Sequence, residues 1–464
     1  MSSELRHLPG VDKLLAEERI KTFQDSYPHE LVVKIARQQL EQERLAITTG
    51  KTCPSLDEIV EAICARLRSL GRPSLRPVIN ATGVILHTNL GRAPLSRETI
   101  AAMESVARGY CNLEFDLDSG NRGSRNTHIV QLLCQLTGAE AALVVNSNAA
   151  AVLLGLTALA RRKEVIVSRG QAVEIGGGFR IPDVMRQSGA KLVEVGTTNC
   201  TYVADYEQAI GDRTVALMRV HSSNFQITGF TNSVTVQEMV TLARRHNLTV
   251  FDDLGSGCLL DTSLFGLAPE PVVPQSVALG AGLVFFSGDK LVGGPQAGII
   301  VGQKELVARL EKHPLARAVR IDKVRLAGLI ATLMHYVKGE ATTRIPIWRL
   351  ISMPLEDIDR RARTWAEALS ALAQVIEGES MIGGGSLPGA TLPTRLVAIS
   401  EVGKRKRQNL AQQLAERLRK AEFPIIGRIS NDTLLLDPRS VLPEEDEIVI
   451  KALRGLGDTL SHKS

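Results

Sequence analysis

Apolar residues recur at three- to four-residue spacing through the first 78 positions of the chain, which is the pattern of amphipathic helices. The pattern predicts helices over residues 12–23, 29–46 and 56–70. Ser55 and Glu58 stand at the spacing of a capping box, in which each side chain accepts a hydrogen bond from the other residue's backbone N–H. A segment rich in glycine and proline, residues 71–77, then interrupts the pattern. We therefore expect a helical N-terminal domain over residues 1–78.

The next 260 or so positions alternate between short apolar runs and helical stretches. The runs predict strands at 142–145, 165–167, 192–195, 215–220, 248–251, 283–286 and 298–301. Strands that are apolar on both faces and joined by helices form a mostly parallel sheet covered on both sides. We expect an α/β large domain over residues 79–340, with its ligands beyond the carboxyl ends of the strands. The remaining residues, 341–464, predict a small α+β domain.

Composition excludes few classes of function. The chain has 464 residues, enough for two or three domains, and its 44% hydrophobic and 23% charged residues are typical of a globular protein. A net charge of +5 permits an anionic partner such as RNA. Aromatic residues make up only 4% of the chain, so we expect any RNA contact to depend on shape and phosphates rather than on a stacking platform.

The cysteines and the N-terminus indicate the compartment. The six cysteines form no C-x-x-C pair, so we expect reduced thiols with neither a disulfide framework nor a zinc site. The first residues lack the apolar core of a signal peptide, and no run approaches the ~20 apolar residues of a membrane span. The expected location is the cytoplasm.

Lys290 has the most informative surroundings in the chain. It follows a predicted strand, Ser287 precedes it by three positions, and a glycine-rich turn comes after it. A Schiff-base lysine needs a fixed position, a depressed pKa and a tight loop that admits a cofactor. The S-x-x-K spacing alone is weak evidence, because it also occurs on protein surfaces and in penicillin-binding enzymes. The other two motifs of those enzymes, S-D-N and K-T-G, are absent here.

Three upstream features strengthen the case for pyridoxal 5'-phosphate. Ser147, Asn148 and Ala149 open a predicted helix after a strand, where free backbone N–H groups can bind a phosphate, although a plain N-cap has the same pattern. Asp252 and Asp253 end a strand, and a carboxylate there can keep the pyridine nitrogen protonated. Asn224 follows another strand and could donate to the cofactor's phenolic oxygen. Phosphate site, amide, acid and lysine occur in the order typical of aminotransferase-type enzymes.

Longer stretches carry a more specific resemblance. They are INATGVILHTNLGRAP at 79–94, GNRGSR at 120–125, EIGGGFRIP at 174–182, VGTTN at 195–199, DLGSG at 253–257 and SGDK at 287–290. On these stretches the chain resembles the bacterial L-seryl-tRNA(Sec) selenium transferases, or selenocysteine synthases, over essentially its whole length. The resemblance implies an aminotransferase-like fold (fold type I). It also implies conversion of seryl-tRNA(Sec) to selenocysteinyl-tRNA(Sec) with selenophosphate, through a cofactor-bound aminoacrylyl intermediate.

The same resemblance implies roles for single residues. Lys290 would hold the cofactor, Asp253 rather than Asp252 would contact the pyridine, and Asp289 would matter for catalysis. The residues expected at selenophosphate are Arg92, Arg317 and Arg320, with Arg125, Thr197 and Thr198 lining the same cavity. The N-terminal domain would dock tRNA, and the chains would assemble as a ring of dimers, a decamer. Cys200, Gln171 and Gln226 depart from the family's pattern around this pocket.

Two other functions remain open at this point. One is a pyridoxal-phosphate lyase of the same scaffold that acts on a free amino acid or amino sugar acid, which would have less use for the helical domain. The other is a tRNA-binding protein that lost its chemistry. Two smaller signals are a glycine-rich turn at 383–389, expected beside the cavity, and a basic run at 404–407, expected on a helix face. The nine histidines show no metal-binding spacing, so no metal is expected.

Overall fold

The computed structural model describes residues 4–71, 73–174, 178, 180–369, 372–400 and 409–461, with side chains described as far as residue 457 in the last helix. The basic run at 404–407 and part of the stretch 174–182 lie outside these residues. The chain forms two compact units, Met1–Pro77 and Val78–Ser464.

The N-terminal unit is helical, as the sequence predicts. It contains α1 (Val11–Leu15), α2 (Glu18–Lys21), α3 (His29–Thr48) and α4 (Leu56–Gly71). The single helix expected over 12–23 is two short helices, because Glu17 has an extended backbone. The capping box of α4 is present: Glu58 N–H donates to Ser55 Oγ at 3.3 Å, and Ser55 N–H donates to the Glu58 carboxylate at 2.7 Å. Apolar faces of these helices form one core.

The second unit begins with two short strands, β1 (Ile79–Asn80) and β2 (Val84–Leu86). A seven-stranded sheet follows, made of β3 (Ala141–Val145), β4 (Glu164–Ser168), β5 (Lys191–Val195), β6 (Thr214–Val220), β7 (Thr249–Gly255), β8 (Leu283–Ser287) and β9 (Gly298–Gly302). The order of its strands is β3-β9-β8-β7-β6-β4-β5. Only β9 runs antiparallel to its neighbours. The expected mostly parallel sheet is confirmed, so the carboxyl ends of six parallel strands lie at one edge.

Helices cover both faces of this sheet. They are α5 (Arg97–Ala107), α6 (Thr127–Thr137), α7 (Asn148–Ala160), α8 (Ile181–Ser188), α9 (Val203–Ala209), α10 (Val236–Arg245), α11 (Val273–Leu279), α12 (Lys304–Lys312), α13 (Pro314–Ala318) and α14 (Lys323–Val337). Two separate hydrophobic cores contain residues of this sheet. Successive residues of a strand pack into different cores: Val250 belongs to the first core and Phe251 to the second. This alternation is the physical reason why neighbouring residues at the strand ends point to different faces.

A second sheet follows in the chain, with the strand order β13-β14-β11-β10-β2. Its other strands are β10 (Ala373–Gly383), β11 (Thr391–Ile399), β13 (Arg428–Ser430) and β14 (Thr433–Leu436), and β12 (Ile425–Ile426) pairs with β1. The helices of this part are α15 (Ala341–Arg344), α16 (Pro346–Ser352), α17 (Leu355–Glu367), α18 (Leu410–Lys420) and α19 (Asp446–Ser461). β1 and β2 lie within the expected large domain, yet both pair with strands of the C-terminal part.

None of the helices within the described ranges is long and apolar enough to cross a membrane. The same residues contain no cluster of three or more potential metal ligands.

Candidate active site

Lys290 lies in a tight turn directly after β8. The turn is held by backbone hydrogen bonds, from Gly293 N–H to Lys290 O at 2.9 Å and from Leu291 N–H to Ser256 O at 3.0 Å. Lys290 is only 6% exposed. Burial lowers the pKa of its ammonium group, and the nearby charge of Arg92 lowers this pKa further, while Asp253 and Asp289 oppose the shift. The amine can therefore lose its proton more readily than an exposed lysine.

The two aspartates of β7 have different partners. Asp252 receives two hydrogen bonds from Arg219 on β6, at 2.6 and 2.9 Å. Asp253 accepts one from Asn148 Nδ2 at 2.9 Å, and its charge acts on Lys290. Burial raises the pKa of Asp253 to about 6, against the opposing effect of Asn148 and Lys290. Of these two aspartates, Asp253 is the one whose charge acts on Lys290.

The N-terminus of α7 lies beside the same carboxylate, through the contact of Asn148. Ser147 caps the helix: its Oγ accepts from Ala150 N–H at 3.3 Å. Gly298 on β9 allows the backbone of Ser147 to lie close to this strand, because a Cβ at Gly298 would overlap the carbonyl of Ser147. The N–H groups of Asn148 and Ala149 have no acceptor among the described residues. Free N–H groups at the positive end of a helix form an anion site.

Asp289 pairs with an arginine from a distant part of the chain. Arg92 Nη1 lies 2.7 Å from Asp289 Oδ2. The backbone joins the same segments, since Ala93 N–H donates to Asp289 O at 3.4 Å. Arg92 is thus adjacent to Lys290, but its charge is already partly balanced by Asp289.

Asn224, the residue expected at the phenolic oxygen, is exposed, and its Nδ2 donates to Glu174 O at 3.0 Å. Its neighbour Ser223 is instead the buried residue of this loop, at 1% exposure. A Cβ on Gly255 would lie 3.3 Å from Ser223 Oγ and 3.8 Å from Lys290 Nζ, so both polar groups flank Gly255. Ser287, also expected at the cofactor, is buried at the end of β8.

The residues expected at selenophosphate are spread over several places within one chain. Arg125, Arg317 and Arg320 line one cavity of about 400 Å³, in which Arg125 binds the Glu114 carboxylate and donates to Ile321 O at 2.6 Å. Thr198 lines another cavity, of about 410 Å³, while Thr197 closes a turn by donating to Cys200 O at 2.9 Å. Arg92 lies at Asp289. A single chain therefore does not bring the whole set together.

Two of the departures from the family's pattern border the cavity that contains Thr198. Gln171 lines it, and its Oε1 accepts from Val220 N–H at 2.9 Å. Gln226 also lines it and is exposed. The third, Cys200, donates its backbone N–H to Thr197 Oγ1 at 3.1 Å.

Two contacts of the site go beyond the sequence prediction, which placed only a glycine-rich turn beside the cavity. Gly385, in the loop between β10 and β11, comes so close to Lys290 that a Cβ there would lie 2.7 Å from Nζ. The glycine repeat at 383–385 was the available signal. The second contact joins a pair of side chains, His221 Nε2 and Glu270 Oε1, 3.1 Å apart. The two residues are 49 positions apart in the chain, so no sequence motif indicates that they pair.

Comparison with known proteins identifies the family. The family model described as L-seryl-tRNA selenium transferase matches residues 78–442, and the model for the N-terminal part of selenocysteine synthase matches residues 5–44. The chain belongs to the L-seryl-tRNA(Sec) selenium transferase family. The transferase of Geobacter sulfurreducens is 47% identical, over 97% of this chain and 98% of that protein. That of Moorella thermoacetica is 49% identical, over 97% and 96%.

Among solved structures, D-glucosaminate-6-phosphate ammonia-lyase is similar to this selenium transferase family member with a TM-score of 0.58. The match covers 84% of this chain and 98% of the lyase at 23% identity. It shows that the two proteins share a fold, which is that of pyridoxal-phosphate enzymes of fold type I. The cofactor of the family is pyridoxal phosphate. The residues here fit it: the free N–H groups of α7 suit its phosphate, and Asn148 Oδ1 is buried without a partner beside Asp253.

Proposed function

We propose that this chain converts seryl-tRNA(Sec) to selenocysteinyl-tRNA(Sec), with pyridoxal phosphate as cofactor and selenophosphate as selenium donor. The observation that carries the proposal is the convergence of Lys290, Asp253 and the N-terminus of α7 at the carboxyl edge of the parallel strands. Membership of the transferase family supplies the substrate.

Lys290 would hold the cofactor through Nζ, and its amine, when free, would serve as the base. The bound cofactor supplies an electron sink for the charge that develops at the serine Cα. Burial and Arg92 lower the pKa of Lys290, so its neutral amine is available to remove the Cα proton. The β-hydroxyl then leaves as water, with the proton that Lys290 removed. Selenium of selenophosphate bonds to Cβ while Cα takes up a proton, and water cleaves the P–Se bond to release phosphate.

Asp253 keeps a proton on the pyridine nitrogen, and Asn148 holds the carboxylate in place for this contact. Ser147, Asn148 and Ala149 bind the phosphate at the start of α7. Ser287 supports the lysine turn from the end of β8, and Asn224 contacts the phenolic oxygen only after moving from its present hydrogen bond to Glu174.

Arginines are suited to selenophosphate because guanidinium groups stay ionised and donate two hydrogen bonds at once. We assign Arg92, Arg125, Arg317 and Arg320 to this role, with Thr197 and Thr198. Asp289 orients Arg92 through their 2.7 Å contact. Since the arginine cavity and the Lys290 turn are separate features of one chain, a neighbouring subunit completes each site in this proposal.

The chain assembles as a homo-oligomer, a ring of dimers, and residues 1–77 dock the tRNA. Support for assembly comes from Tyr110, Phe115 and Leu117, three large hydrophobic residues that are 108%, 50% and 72% exposed within eight positions. Support for docking comes from the match of residues 5–44 to the N-terminal model of the family.

The test uses labelled seryl-tRNA(Sec) and selenophosphate, followed by deacylation and chromatography of the amino acid. We expect labelled selenocysteine from the wild type and from Lys338→Ala, a control at an exposed lysine. We expect none without selenophosphate and none from Lys290→Ala. Unchanged serine from wild-type protein that carries its cofactor would contradict the proposal and favour a lyase acting on a small molecule.

A further inference from the structure

In the cavity that contains Thr198, only Thr198 is assigned to selenophosphate, and the other lining residues have no ligand in the proposed roles. Its volume is about 410 Å³, within the range of small-molecule sites. Loops after β4, β5 and β6 line it, together with residues 268–270 and the loop between β10 and β11. It therefore lies at the carboxyl edge of the sheet, where ligands of such folds bind.

The cavity carries little free charge. Among its described lining residues, Glu270 and His221 are the only side chains that can be charged near neutral pH, and they pair with each other at 3.1 Å. The other polar side chains are amides and hydroxyls. By contrast, the second cavity brings together Arg122, Arg125, Arg317 and Arg320. A multiply charged selenophosphate suits the arginine cavity, whereas a neutral ligand suits this one.

Three segments that line this neutral cavity also approach Lys290. Ser222, which lines it, precedes Ser223, whose Oγ flanks Gly255 together with Lys290 Nζ. Leu387 and Pro388 also line it, two and three positions after the Gly385 that contacts Lys290. The charge of Glu270 is close enough to raise the pKa of Lys290. A ligand in the cavity is therefore next to the reacting atoms.

Free groups in the cavity could recognise a nucleoside. Ser222 and Gln226 make no side-chain hydrogen bond to any described residue, so their hydroxyl and amide are available. Phe225 is the aromatic side chain among the lining residues. Single nucleotides are typically bound by stacking on one aromatic ring and by hydrogen bonds to the edge of the base.

We propose that this cavity binds the terminal adenosine of the tRNA, to which the serine is esterified. The inference rests on the proposed function. Because only the ester group separates the serine Cα from the ribose, the terminal nucleoside must occupy space next to Lys290. Phe225 stacks on the adenine, and Ser222 and Gln226 provide polar contacts. The tRNA substrate and selenophosphate thus enter through cavities of different charge.

The test compares two non-esterified ligands of the holoprotein, 3'-seryl-amido-3'-deoxyadenosine and L-serinamide. Their dissociation constants are read from the change in cofactor absorbance, not from turnover. The ratio of the two constants measures what the nucleoside contributes. In wild type we expect serinamide to bind at least about fivefold more weakly, the lower end of the contribution of one base–aromatic stack. In Phe225→Ala and in Gln226→Ala this ratio falls towards one.

Phe230→Ala is the matched control, because Phe230 lies on the same loop, is 86% exposed and does not line the cavity. It should keep the wild-type ratio. Equal binding of both ligands to wild type would overturn the inference, as would a wild-type ratio in both Phe225→Ala and Gln226→Ala. Failure of the proposed function appears separately, as absence of selenocysteine from wild type in the turnover assay.

Discussion

Asp252 and Asp253 are chemically identical neighbours with different environments. Asp252 is neutralised by the two hydrogen bonds from Arg219, whereas Asp253 faces Lys290 with one amide donor. The difference arises because successive residues of β7 point to opposite faces of the sheet. Within the described residues no cationic group donates a hydrogen bond to Asp253, and burial of such a carboxylate is unfavourable.

This predicts that Asp253→Asn stabilises the apoprotein while weakening cofactor binding. Because the folded-state pKa of Asp253 is raised from 3.8 to about 6, the folded protein is most favoured when this group is protonated. The protonated Asp253 therefore contributes to the free energy of unfolding. This contribution is fully present below pH 3.8 and is lost as the pH rises through 6, and the loss is at most about 3 kcal/mol. Apoprotein melting temperatures should therefore be higher for Asp253→Asn at pH 8, and the gap should close towards pH 4.

The control is Asp252→Asn, which leaves the mostly buried guanidinium of Arg219 without its ion pair. It should lower the melting temperature of the apoprotein at pH 8. If Asp253→Asn also lowered it there, the account of Asp253 as a desolvated, unbalanced carboxylate would be wrong.

Two loops from different sheets meet at the lysine. The turn after β8 fixes the backbone of Lys290, and the loop between β10 and β11 covers its side chain with Gly385. Gly385 has a φ of +88°, a conformation that other residues adopt only with strain, and no room for a Cβ. The covering loop therefore both encloses the amine and limits which atoms can approach it.

Gly385→Ala should reduce kcat by up to roughly 100-fold, since displacing a reacting group by about 1 Å can cost that much. It should also shift the absorbance of the bound cofactor. Gly339→Ala controls for backbone strain, because Gly339 has a φ of +68° and no atom within 4 Å of its would-be Cβ. Steady-state kinetics and absorbance spectra of both variants provide the comparison. Equal losses of kcat would mean that strain, not contact with Lys290, is responsible.

At the scale of the molecule, the residues proposed for the site do not all come together within one chain. The arginine cavity is lined by residues from segments 122–126 and 316–320, while the lysine turn and the neutral cavity lie elsewhere on the chain. The exposed residues Tyr110, Phe115 and Leu117 occur just before the first of these segments. A subunit interface formed there would bring a neighbour's residues close to the arginines.

Leu117→Asp should reduce the assembly to smaller species and lower turnover without unfolding the chain. A charge at the core of an interface is costly, whereas Leu117 is 72% exposed within one chain. Leu264→Asp is the control, since Leu264 is 77% exposed in a different part of the chain. Sedimentation velocity gives the mass and far-UV circular dichroism the folding. An unchanged mass for Leu117→Asp would contradict the proposed interface.

Much of the fold was predictable because local rules govern it. The helices of the N-terminal unit follow from apolar spacing and a capping box, and the strands of the parallel sheet from short apolar runs. β10 was missed, because it alternates buried and exposed positions irregularly and contains Gly378. The split between α1 and α2 was also missed, since one residue with an extended backbone leaves no mark on the periodicity.

The features of the site also divide into those that local sequence patterns indicate and those that only tertiary packing determines. Lys290, Asp253 and the start of α7 were candidates from the sequence, because each lies at or just after the carboxyl end of a strand and parallel strands bring these ends to one edge. The covering by Gly385, the pairing of His221 with Glu270 and the separation of the arginines from Thr198 were not. Those features join residues that are distant in the chain, and their proximity results from packing between sheets and loops, which periodicity along one segment does not encode.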